Sequence, residues 1–179
     1  MRIELDHGLD RQHGFLTVAE SIDALLGSTP LLSMATVSEE GTPWLHNAYF
    51  AYDADLHLYC LTRPESRHVR NLAHSGGRVS VTVADTRQEG TPGTRQGVQL
   101  QGHCAPAAGG RLAHGAEVFG RRFPAFAAAA HAAARPGASD TPLQLHVVTV
   151  DTLTLFDERV FGLENWISGR VRRDADVAA

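Results

Sequence analysis

The residues best suited to chemistry lie together in Leu61-Thr62-Arg63-Pro64-Glu65-Ser66-Arg67-His68-Val69-Arg70-Asn71-Leu72. Thr62 puts a hydroxyl at the end of an apolar strand pattern, and Ser66 and Arg67 fall in the first turn of the helix that Pro64 opens. A hydroxyl, a guanidinium and the free backbone N–H groups of a helix start are what a phosphate needs. The plainer alternative is a surface helix whose arginines pair with nearby carboxylates, and composition alone favours it. A second polar set, Gln99, Gln101 and His103, shares one face of a strand. It faces either solvent or a ligand.

Composition removes several kinds of chemistry. All 16 positive residues are arginine. Without lysine the chain cannot form a lysine Schiff base, nor a phosphate loop ending in GK[ST]. The net charge of −4, with arginines scattered among 20 acidic residues, gives no basic face for nucleic acid. The 10 histidines include no HxH or HxxxH pair, and Cys60 and Cys104 are far apart in sequence, so no metal site is expected. With 43% hydrophobic residues and no apolar run near the roughly 20 that a bilayer span needs, no membrane insertion is expected. The polar, acidic stretch Met1 to Gly14 lacks the pattern of a signal peptide, and a reduced, cytoplasmic protein is the expectation. A length of 179 residues implies one domain over 1–179, with 1–16 and 172–179 as flexible tails.

The elements that must position these groups follow from periodicity. Thr17-Val18-Ala19-Glu20 reads as a capping box opening a helix with Ile22, Leu25 and Leu26 on one stripe, ended by Gly27. Strands are expected over Leu31 to Val37, Trp44 to Tyr52 and Leu56 to Thr62, as an antiparallel meander. After the Pro64 helix, closed by Gly76-Gly77, Val79, Val81 and Val83 alternate with polar residues as a strand. A loop over Asp85 to Thr94 leads to the strand Val98 to Cys104. Gly109 to Ala134 reads as helix broken at Phe123-Pro124, with His131 on its surface, and Leu143 to Phe156 as a last long strand or strand pair. The fold expected is α+β: an antiparallel barrel of six to seven strands with flanking helices.

The order LLSMATVSEEGTPWLHNAYFAYDADLHLYCLT, then ESRHVRNLAHSGGRVSVTVAD, then GVQLQGHCAPA resembles the FMN-binding split-barrel superfamily. That superfamily includes pyridoxamine 5'-phosphate oxidases, flavin reductases and deazaflavin-dependent reductases. The resemblance covers about Leu31 to Ala105, and FGRRFPAFAAAA is most like a little-characterised bacterial branch. It implies a homodimeric split barrel with the cofactor across the subunit interface.

By that resemblance, Thr62, Ser66, Arg67 and His68 hold the cofactor phosphate, and His68 stands where the oxidases have lysine. His46, Asn47, Ala48 and Tyr49 run along the flavin ring, with His46 and Tyr49 the candidate proton donors. Gln99 and Gln101 reach the cofactor from the partner subunit, and Trp166 and Arg170 match a tryptophan and an arginine near the end of the oxidases. The tail GRVRRDADVAA lacks the substrate-binding arginine and histidine pair of true pyridoxamine phosphate oxidases, so vitamin B6 oxidation is not expected. What the resemblance implies is an FMN-dependent oxidoreductase acting on a small organic substrate. The alternatives are a deazaflavin (coenzyme F-420) reductase, or a haem-binding or non-catalytic cofactor-binding protein on the same scaffold, with His46, His68 and His103 as the first haem ligand candidates.

Overall fold

The computed structural model describes residues 2–5, 15–87, 90–135 and 142–173. The strands are β1 (Arg2–Leu5), β2 (Leu31–Val37), β3 (Pro43–Tyr49), β4 (Ala51–Tyr52), β5 (His57–Thr62), β6 (Arg78–Ala84), β7 (Gln96–Pro106), β8 (Gln144–Asp157) and β9 (Ile167–Arg172). The helices are α1 (Phe15–Ser28), α2 (Arg67–His74), α3 (Gly110–Arg122), α4 (Ala127–Ala133) and the single turn α5 (Glu158–Phe161). A 3-10 turn, Pro124–Phe126, joins α3 to α4, because Pro124 cannot continue the α3 hydrogen-bond ladder. Every strand pairing is antiparallel, in the order β1-β9-β8-β7-β6-β2-β3, with β5 joined to both β4 and β8.

The α+β expectation and the boundaries of most central elements agree with this arrangement. Among the described residues the sheet contains nine strands, against an expectation of six to seven. Part of the difference is Arg2–Leu5, placed by the sequence in an N-terminal tail, which pairs with Ile167–Arg172 from the other end of the chain. The expected tails at 6–14 and 174–179 lie outside the described residues. The strand expected over Trp44 to Tyr52 is interrupted at Phe50, which is fully buried and donates its N–H to the Pro30 carbonyl, one step beyond the last β2–β3 ladder pair of Leu31 with Tyr49. Thr17 is not a cap: α1 already begins at Phe15 and runs past Gly27 to Ser28. Similarly, α2 starts at Arg67 rather than at Pro64, because Ser66 holds the extended conformation (φ −69°, ψ 152°) of an N-cap.

The long strand β8 organises the sheet. One edge pairs with β7 along most of its length. The other is shared: Gln144 to Thr149 pair with β5, and Thr152 to Leu155 pair with β9. Between these halves the β7 register shifts, Gln101 facing Thr152 and Gly102 facing Val150, so that Asp151 is the extra residue of a bulge. The sheet splits where the bulge bends it.

Alternation along β5 and β8 then makes two cores. Leu58, Cys60 and Val148 face the barrel interior, where Val18, Ile22, Leu25 and Leu26 of α1 are also buried. Tyr59, Leu145 and Val147 face outward, under Ala116 and Phe119 of α3 and Ala130 of α4. Among the described residues no helix is long and apolar enough to cross a membrane.

The bulge depends on a missing side chain. A Cβ on Gly102 would sit 2.0 Å from the Thr149 carbonyl oxygen. Gly102→Ala is expected to destabilise the fold by about 1–3 kcal/mol, seen as a lower urea midpoint; an unchanged midpoint would show that the split does not need this close approach.

Candidate functional site

The ends of β3 and β5, the start of α2 and the underside of α3 enclose a cavity of about 350 Å³. Its walls are largely apolar, with Met34, Leu72, Cys60 and Cys104 from the barrel side and Phe119, Phe126 and Leu143 from the helical side. Tyr49 joins this aromatic wall, its ring centroid 5.3 Å from Phe123 and 5.8 Å from Phe126. His46, Asn47, Ala48 and Tyr49, expected beside a flavin ring, all line the cavity, as do Thr62 and His68.

The polar end of the cavity is a tight cluster. Nε2 of His68 lies 2.5 Å from the Thr62 hydroxyl and 3.1 Å from that of Ser66. Ser66 leaves the α2 backbone uncapped and donates its hydroxyl to the Arg63 carbonyl instead, at 2.7 Å. The His68 ring stacks on His46 with centroids 3.7 Å apart and planes 10° from parallel. Burial and the neighbouring His68 push the pKa of His46 down to about 4, and burial also lowers that of His68. The pair is therefore two neutral rings at neutral pH, where the sequence offered a substitute for a fixed lysine charge.

Arg67 does not join the cluster. Its guanidinium stacks over the Trp44 ring at 4.3 Å from the centroid. Gln99 and Gln101 point outward from β7, Gln101 accepting a hydrogen bond from Thr152 at 3.2 Å. His103, on the same outer face, pairs with Asp151 at 3.0 Å and is not among the residues that line this cavity. Trp166 is half-exposed and rests on Phe156, and Arg170 on β9 faces solvent opposite Glu4. The sequence reading missed His146, Phe119 and Phe126 as cavity residues. His146 is only 3% exposed, and burial lowers its pKa too. A partial signal was present: alternation puts its imidazole on the same face of the last long strand as Val148 and Val150.

The residues present suit a flat conjugated group with an anionic tail. Thr62, Ser66 and the first α2 amides can hold oxyanion oxygens, and the apolar walls can hold a ring. No group of three or more metal-ligating side chains occurs among the described residues. The neutral histidines also set an acid limit. A histidine whose pKa falls on folding is protonated first in the unfolded chain, so stability is full above about pH 6.5 and is lost as pH falls toward 4. Thermal melts should show Tm dropping over this window, less steeply in His46→Gln; equal slopes would show that His46 titrates normally.

Comparison with curated proteins returned no match. Solved structures resemble the chain at low identity. A haem binding protein from Mycobacterium smegmatis aligns with a TM-score of 0.67 and 20% identity, over 85% of this chain and 57% of that one. The chain thus spans little more than half of that protein's length. The haem storage protein HutZ of Vibrio cholerae aligns with a TM-score of 0.60 and 17% identity, over 74% of this chain and 89% of that one. A Clostridium acetobutylicum protein related to general stress protein 26, of the pyridoxinephosphate oxidase family, gives 0.57 and 14%, over 86% and 94%. These likenesses bear on the fold. The pyridoxamine 5'-phosphate oxidase profile matches residues 18–155, which include the strands and the helix head that build the cavity, and the chain belongs to that family.

Proposed function

We propose that the protein binds FMN in this cavity and uses it to oxidise or reduce a small organic molecule. The observation that carries the reading is the Thr62, Ser66 and His68 cluster, set at the uncapped head of α2 and opening onto an apolar cavity. When bound, the isoalloxazine supplies the hydride chemistry. The chain's own part is to bind and orient: Thr62, Ser66 and the α2 amides take the phosphate oxygens, while the β3 residues His46 to Tyr49 lie along the ring. Tyr49, Phe119 and Phe126 keep water from its inner side.

The working unit in this reading is a homodimer. The edge strand β3 exposes Trp44, Leu45 and Tyr49 next to the cavity, an apolar edge that a symmetric copy would cover. Gln99, Gln101, Trp166 and Arg170, which lie outside this cavity, would then serve the partner's site.

Haem is the second reading. His46 remains uncharged down to a pH of about 4, and an iron ligand must be neutral imidazole. Two relatives of the same fold are named for haem binding or storage. The two readings give opposite pH trends. FMN affinity should stay level from about pH 8 to 6.5, where burial keeps His68 neutral, and rise only on further acidification, as a protonated His68 attracts phosphate, whereas haem affinity should stay level or fall. Flavin fluorescence quenching and Soret titrations at several pH values measure both. Absence of saturable FMN binding at micromolar concentrations at every pH would overturn the flavin assignment.

A further inference from the structure

We infer that His146 hydrogen-bonds the molecule held in the cavity and fixes its orientation. The inference rests on the flavin reading and names a residue which that reading did not use.

His146 projects into the barrel from β8. Its neighbour across the β5 pairing is Cys60 and across the β7 pairing is Pro106. Opposite residues of an antiparallel pair share a face, so the imidazole belongs to the inward stripe of Leu58, Cys60 and Val148. Every other residue of that stripe is an ordinary buried apolar group. His146 is only 3% exposed, yet its Nδ1 has no hydrogen-bond partner. A buried polar atom without a partner weakens a fold, and native proteins keep few of them. His46 and His57 each also have one unpartnered ring nitrogen; His57 is bonded through its other nitrogen to Asp53 and does not line this cavity, whereas His46 lines it at the polar end, stacked on His68.

His146 does line it, and is placed to reach a ligand whose anionic end lies at Thr62. Gln144 is the register partner of Thr62, and His146 lies two residues further along β8, about 7 Å at strand spacing. The imidazole therefore stands inward of the polar cluster, where the ring of a bound molecule would lie. A neutral imidazole carries one donor and one acceptor, so it suits a heteroaromatic edge rather than a charged group. The groups around it are mostly apolar, with the Cys60 and Cys104 thiols among them, and a ligand in the cavity can supply the bond that its Nδ1 lacks.

The test uses the full-length protein, with FMN as the probe. His146→Phe keeps a planar ring and removes the hydrogen bond, and His146→Gln retains a donor and an acceptor. The expected result is that His146→Phe binds FMN about 5- to 50-fold more weakly while its ligand-free Tm is unchanged or higher, because an unpartnered polar group has been removed. His146→Gln should recover most of the affinity. In the wild type, the ¹⁵N shifts of the His146 ring should move on adding FMN. Unchanged FMN affinity in His146→Phe, with unmoved ¹⁵N shifts, would overturn the inference while leaving the flavin reading standing. Wild-type protein that binds no FMN would instead overturn the reading on which it rests.

Discussion

The architecture depends on one strand having two partners along the same edge. β8 can serve β5 with its first half and β9 with its second only because the Asp151 bulge turns the ladder between them. Without that turn the two partners would compete for one row of N–H and C=O groups. The split also leaves room. Where β5 ends beside Gln144, the sheet stops closing on itself and the helical layer of α3 and α4 covers the gap, which forms the cavity.

That origin explains the character of the site. Residues of the barrel interior line one side and residues of the outer core line the other, so the walls are apolar by default. The polar groups arrive from the elements that end there: Thr62 at the close of β5, Ser66 and His68 at the head of α2, and His46 on the edge strand β3. Packed together and half-buried, the imidazoles stay neutral. The site therefore attracts an anion through hydroxyls, amides and titratable rings. Arg67, next to His68 in the chain, is held against Trp44.

Much of this was legible in the sequence because it is local. The hydroxyl at a strand end, the polar alternation of β7 and the break at Phe123-Pro124 are each set by neighbours a few residues apart. The cluster of Thr62, Ser66 and His68 falls within one short segment for the same reason. What was not legible depends on distant partners. β1 has four residues and no pattern of its own, and it is a strand because β9 offers an edge. His146 was not singled out in the sequence, and it is the register of β5 on β8 that places it beside Cys60. Arg67 has the right position in the helix for an anion, but Trp44 from another strand competes for its guanidinium.

Arg122 links two parts of the molecule that the sequence keeps far apart. From the end of α3 its guanidinium spans to the last turn of α1, donating to the Thr29 carbonyl at 2.9 Å and also to that of Leu26, while lying over Phe50 at 4.6 Å from the ring centroid. These carbonyls are among those a helix C-terminus leaves without partners. The roof of the cavity and the helix that fills the barrel are thereby fastened by one side chain. Lifting the roof to admit a large planar guest strains the same clasp that seats the plug, so the two motions belong to one cooperative unit.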